Sequence, residues 1–267
     1  MHIIFPWKKG DALHLCLLVL CLSSFLSLTF TANASPWGQQ PLAILNIARA
    51  DIFRAAAEDR EFIQTSFQNY TEVGVTSRIT VGSKIAYGIQ SVAFDNTDDV
   101  RDGVVDAELF AQRVMYRGEG SIFSAKASYY PSTGTQSAFG LNTPSGRDSA
   151  MGAHLLFGKG FERSFLASSV GVIKSFGQDA DSLRTELTLG RYGRERRLYL
   201  LDLYSTFSLG GAEPQGLDFN VITLAPSIAF RRNDQQRIQL GATIDLYGEN
   251  LDPGYGLFVG FWHGRDP

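Results

Sequence analysis

Residues 64–90 read QTSFQNYTEVGVTSRITVGSKIAYGIQ, two amphipathic strands with almost nothing between them. In the second, Ile79, Val81, Ile85, Tyr87 and Ile89 share one face. Arg78, Thr80, Gly82, Lys84, Ala86, Gly88 and Gln90 share the other. Period-two alternation sustained over about ten residues puts one face against an apolar medium and the other against water or polar groups. Strands of ordinary sheets run about 5–6 residues, whereas a tilted strand crossing a bilayer needs about 9–11. The stretch therefore predicts a hairpin of a transmembrane β-barrel.

The same pattern recurs along the chain. Expected strands are Ala43–Arg54, Glu61–Val75, Arg78–Gln90, Val104–Tyr116, Gly120–Tyr130, Ser149–Lys159, Ser164–Phe176, Ser182–Arg191, Arg196–Leu209, Asp218–Arg231, Gln236–Tyr247 and Tyr255–His263. The first is the least distinct, because the alanines and charges of ADIFRAAAEDREF also suit a helix. Every second connection is short (76–77, 117–119, 160–163, 192–195, 232–235), and those between are mostly longer, notably 91–103 and 131–148. Short periplasmic turns alternating with longer external loops, on an even number of strands, is the outer-membrane pattern. The fold class is thus all-β: a closed antiparallel transmembrane barrel of about 12 strands after an N-terminal signal peptide.

Residues 1–34 carry that leader. Lys8 and Lys9 precede an apolar run from Ala12 to Phe30, followed by Thr31-Ala32-Asn33-Ala34, an Ala-x-Ala end that predicts cleavage before Ser35. Residues 35–267 form the barrel domain, with 35–42 as a periplasmic lead-in. Both cysteines, Cys16 and Cys21, lie in the leader, so the exported chain relies on backbone closure rather than disulfides. The full chain has 24 basic and 27 acidic residues; without Lys8, Lys9 and Asp11 these become 22 and 26, a net charge of −4. That balance argues against nucleic acid as a partner, which calls for a basic stripe.

Aromatic residues sort to strand ends: Tyr87, Tyr129, Tyr247 and Tyr255 toward the loops, and Tyr116, Phe157, Phe165, Tyr199 and Phe230 toward the turns. Two such rings are the girdles expected at the two membrane interfaces. The run Thr71–Gly82, TEVGVTSRITVG, resembles a hairpin common in proteobacterial outer-membrane barrels, where it reads Glu-Tyr-Gly-Leu-Thr-Asp-Arg-Leu-Thr-Val-Gly. It departs at Val73, where those proteins carry an aromatic, and at Ser77, where they carry aspartate. The hairpin occurs in porin-like channels and in uncharacterised barrels alike. Gly256–Phe261 resembles the terminal strand that such proteins present to the barrel-insertion machinery, although Trp262–Pro267 follow where those chains stop. The resemblance implies insertion into outer-membrane lipid with that machinery as partner.

Candidate chemistry is sparse. His154 shares a strand face with Gly152, Leu156 and Gly158, but Leu155-Leu156-Phe157 follow it instead of the His-x-Ser-Asn constellation of outer-membrane phospholipases. No catalytic residue is assigned. Asp95-Asn96-Thr97-Asp98-Asp99 with Asp102 offers oxygen ligands, yet it lacks the glycine and terminal glutamate of a calcium loop and reads as a solvated acidic loop. No cofactor or metal is expected. Alternation turns Glu72, Arg78, Lys84, Asp106, Glu108, Lys126, Arg184, Glu186, Asp202, Arg237 and Asp245 into the lumen. Lys84, Asp106, Glu108, Lys126, Arg184 and Glu186 are the expected channel-lining set. With both signs present, these charges either line a narrow channel for small polar solutes or pair and close it as a structural or secretion-accessory barrel. A lipid-modifying enzyme is the more distant alternative.

Overall fold

The computed structural model describes residues 36–56, 60–94, 97–133, 148–194, 196–212 and 218–264. The leader and its cleavage site lie outside the described residues, as does most of 131–148. Every regular element among them is a strand: β1 Ile44–Ala56, β2 Arg60–Gly74, β3 Ile79–Phe94, β4 Thr97–Gly118, β5 Ser121–Tyr130, β6 Ala150–Gly160, β7 Ser164–Ser175, β8 Ser182–Tyr192, β9 Arg197–Ser208, β10 Asn220–Asn233, β11 Gln236–Glu249 and β12 Gly254–His263. Each pairs antiparallel with its sequence neighbours, and β1 closes on β12 through ten residue pairs from Asn46↔His263 to Ala55↔Gly254. Closure leaves no edge, so the backbone polar groups of the wall are satisfied within the sheet, as hydrocarbon demands. The first segment is a strand, and its helix alternative is set aside.

The connections sort by end. At the turn end they span 75–78, 119–120, 161–163, 193–196 and 234–235; at the loop end they reach 131–149 and 209–219. One expected loop is instead a ribbon. Residues 91–103 continue the β3–β4 ladder out to Phe94↔Thr97, so β4 runs 22 residues. Asp95 and Asn96 of the acidic stretch lie outside the described residues. Arg78 is likewise no lumenal residue: it sits exposed in the turn, where its carbonyl accepts a hydrogen bond from the Val114 amide at 2.8 Å.

The outer wall is apolar. Phe67, Ile85, Leu109, Leu155, Val172, Leu240 and Leu257 are among the large side chains it exposes. Exposing so continuous an apolar surface is what water opposes and a bilayer favours. Tyr87, Tyr129, Tyr247, Tyr255, Tyr116, Phe157, Tyr199 and Phe230 are exposed in the same way, at the two rims. Phe165 is an exception. It turns inward and packs edge-on against Trp37, with ring centroids 5.6 Å apart.

Bulges locally break the alternation. Opposite Ala86 and Tyr87 the partner strand offers Asp106 and Val104, leaving Val105 as the extra residue. Val105, which strict alternation with lumenal Asp106 and Glu108 would turn outward, lines the interior against Gly88. Pro226 interrupts another seam: the β10–β11 ladder runs to Leu224↔Ile244 and resumes at Ser227↔Gly241. Without an N–H, proline cannot supply that rung.

The lead-in does not hang free. Pro36 to Gln39 fold into the turn end of the barrel. Ser124 donates to the Pro36 carbonyl at 2.7 Å, the Gln39 amide donates to Thr80 Oγ1 at 2.8 Å, and Gln39 Nε2 donates to Glu72 Oε2 at 2.8 Å. Glycines make the room. A Cβ at Gly158 would meet Pro36 at 2.8 Å and Trp37 at 3.0 Å.

Candidate functional site

The interior is where the chemistry-bearing residues converge. Strand alternation aims one face of all twelve strands inward, and several of the charged side chains on those faces are held by neighbours rather than by bulk water. Lys126 Nζ lies 2.9 Å from Glu108 Oε1, which also accepts from Ser128 Oγ at 2.5 Å and Tyr130 OH at 3.4 Å. Lys84 Nζ lies 2.5 Å from Asp106 Oδ2 on the adjacent strand. Arg49 Nε lies 2.5 Å from Asp51 Oδ1, and its guanidinium sits 3.9 Å above the Phe258 ring. Asp202 accepts from Thr188 at 2.5 Å, Asp245 from Thr223 at 2.6 Å, and Glu72 from Tyr70. Each pairing offsets the desolvation that an isolated buried charge would suffer.

Lys126, His154, Gly171 and Arg184 lie side by side on one transverse row of β5 to β8. Gly171 matters here, because a Cβ would stand 2.1 Å from His154 Nδ1; the imidazole occupies the space above the bare backbone. His154 is buried, with Nε2 3.4 Å from the Tyr130 hydroxyl. Arg184 lies with its guanidinium 5.8 Å from the Tyr130 ring centroid. Its Nε and Nη2 have no hydrogen-bond acceptor among the described residues, and no described carboxylate forms an ion pair with it. Glu186, two residues along the same strand face, likewise forms no ion pair among the described residues.

Among the described residues, two cavities lie in the lumen. The turn-end cavity, about 150 Å³, is lined by Trp37, Phe165, Leu200, Phe258 and Trp262 on its apolar side and by Lys84, Glu108, Lys126, Arg184, Glu186 and Asp202 among its polar groups. The loop-end cavity, about 210 Å³, includes Asp51, Gln64, Gln90, Asp106 and Thr223. Arg49, Gln68, Lys84, Arg184, Glu186 and Tyr204 belong to both walls. The six residues expected to line a channel therefore all face these cavities, and three of them, Lys84, Arg184 and Glu186, belong to the six-residue collar that both share.

Arg49 and Asp51, both in that lining, escaped the sequence reading because their strand was the ambiguous one. Their signal was present: Arg49, Asp51 and Phe53 alternate with Ala48, Ala50 and Ile52. Trp37 and Gln39 carry no periodic signal at all. Among the described residues no three His, Cys, Asp or Glu side chains cluster as metal ligands would.

An all-β closed wall of twelve strands, apolar outside and polar within, is the fold of bacterial outer-membrane β-barrels. Solved structures agree. The chain superposes on the COG4313 outer membrane channel from Pseudomonas putida F1 with a TM-score of 0.65 at 13% identity, covering 88% of this chain and 100% of that one. A KdgM porin matches with a TM-score of 0.52 at 6% identity over 82% of this chain and 99% of the other. The β-domain of the Bordetella autotransporter Brka matches with 0.51 at 12% identity over 83% and 98%. At these identities the likeness is one of fold. No protein-family model and no curated protein matches the sequence.

Proposed function

We propose that this chain is a narrow channel of the Gram-negative outer membrane, passing small polar solutes without chemistry. The observation that carries the reading is the pair of lumenal cavities in series, both walled in part by Lys84, Arg184 and Glu186. Residues 1–34 direct export and are removed before Ser35; the barrel-insertion machinery then places residues 35–267 in lipid, with the turn end toward the periplasm. In that orientation Lys84, Asp106, Glu108, Lys126, Arg184 and Glu186 line the solute path. The crossing ion pairs and the Pro36–Gln39 segment hold it narrow.

Conductance of the purified protein in a planar bilayer tests the proposal. Small, steady unitary currents are the expected result. A silent barrel in both salt and pH series would replace this reading with a closed structural or secretion-accessory barrel. One observation favours that second reading: Pro36 to Gln39 occupy the turn end through four direct hydrogen bonds, the fourth from Arg117 Nη2 to the Trp37 carbonyl at 3.3 Å.

A further inference from the structure

We infer that the collar between the two cavities is a binding site for a small organic carboxylate, anchored by Arg184, with the apolar body of the solute in the turn-end cavity. This rests on the lumen being solute-accessible, as the channel reading holds. The argument begins with charge compensation. Arg49 is paired with Asp51, Lys84 with Asp106 and Lys126 with Glu108, each by 2.9 Å or less. Glu108 is further satisfied by Ser128 and Tyr130, so it has no need of a second cation. Arg184 alone in this group is left with guanidinium donors that meet no acceptor among the described residues. A guanidinium offers a planar fork of donors that matches a carboxylate, and its charge persists at any physiological pH. Leaving such donors unused in a buried setting is costly, and an oxyanion relieves that cost.

The second part is shape. The turn-end cavity presents rings and aliphatic carbon at Trp37, Phe165, Leu200 and Phe258, and Arg184 lies in the same wall. Its volume of about 150 Å³ equals that of enclosed apolar cavities that accept a benzene ring. An inorganic anion would leave that surface unused, and a neutral aromatic would leave the guanidinium unused. A single-ring carboxylate uses both. Glu186, on the same strand face, opposes the anion and sets the affinity low enough for release.

The test uses intrinsic fluorescence. Beyond residue 34 the chain has two tryptophans, Trp37 and Trp262, and both line this cavity. The mature protein, folded into phosphatidylcholine vesicles, is titrated with benzoate and with its neutral isostere benzamide. Benzoate should bind about tenfold more tightly or better, the equivalent of a charge-assisted hydrogen bond. Arg184→Gln should abolish the preference, Arg184→Lys should keep part of it, and Glu186→Gln should strengthen benzoate binding. Equal binding of the two ligands to the native protein overturns the site, as does an undiminished preference in folded Arg184→Gln. Should Arg184→Gln fail to fold, an unchanged benzoate affinity in Glu186→Gln overturns it instead. The readout does not depend on conductance. A barrel that binds benzoate but passes no current keeps the site and loses the channel; a conducting barrel without the preference does the reverse.

Discussion

Lys126 and Glu108 meet at 2.9 Å across the β4–β5 seam, and each side chain is more than nine-tenths buried. A pair so placed is held by mutual need: either charge alone would be stranded in the lumen wall. Lys126→Met should therefore cost about 3–5 kcal/mol, the usual consequence of removing one partner of a buried pair. Lys126→Met with Glu108→Leu should recover most of that loss. Urea unfolding in lipid vesicles, read as a double-mutant cycle, measures both.

Selectivity follows from the same pairs. Replacing Lys84 and Lys126 together by glutamine leaves Asp106 and Glu108 uncompensated, so the path becomes more negative. The reversal potential in a salt gradient should move toward the cation equilibrium value. An unchanged potential in a protein that conducts would remove these residues from the path.

The facing of the wall is open to a simple comparison. Leu240, 47% exposed on the outer surface, meets lipid; Leu240→Arg should cost about 2–4 kcal/mol near the membrane midplane. Ser169 pairs across the β7–β8 seam with Glu186 and lines the turn-end cavity. Ser169→Arg should stay within about 0.5 kcal/mol of the native protein, since its new charge faces a carboxylate. Folding yield into vesicles reports the difference.

Gly171 offers a packing test. An alanine Cβ would stand 2.1 Å from His154 Nδ1, and the imidazole must move. Gly171→Ala should destabilise by about 1–3 kcal/mol, as overpacking does. Adding His154→Ala should restore stability, because the ring is the obstacle. Failure of the second change to rescue the first would locate the strain in the backbone.

The turn-end segment is testable by current. Replacing Pro36-Trp37-Gly38-Gln39 with Gly-Ser-Gly-Ser removes the Trp37–Phe165 contact and the Gln39–Glu72 hydrogen bond. Unitary conductance should rise and open-channel noise should increase. A conductance equal to the native value would show that the path bypasses the segment.

Most of the barrel was legible because lipid imposes a rule on sequence: where a strand crosses hydrocarbon, one side chain in two must be apolar. Ile79, Val81, Ile85, Tyr87 and Ile89 obey it, and apart from the outer ends of β3 and β4 the expected and observed strands agree within a few residues. The rule lapses beyond the membrane. The β3–β4 ribbon past Gln90 pairs its backbone as fully as the wall does, yet no apolar medium selects its side chains, so 91–103 looked like a loop. It lapses again at a bulge, where Val105 joins the inner face. Within the lumen, opposite charges on neighbouring strands were visible as alternating Lys84 and Asp106. The closing segment was not, because Pro36 to Gln39 are held by single contacts to Ser124, Thr80 and Glu72, far along the chain. Contacts of that kind leave no period to read.

Pro226 shows what a ring allows that a ribbon does not. In an open sheet, a residue unable to donate is confined to the border, since a fault inside the sheet offers a line along which the layers can peel. A cylinder has no border from which peeling can start. Separating β10 from β11 would create two bare margins at once in hydrocarbon, while the other eleven seams still hold the two strands in register. The defect is thereby confined to the rungs between Leu224 and Ser227. Circular connectivity thus acts as fault tolerance, letting single positions in the wall vary in ways that a sheet of the same residues, left open, would not survive.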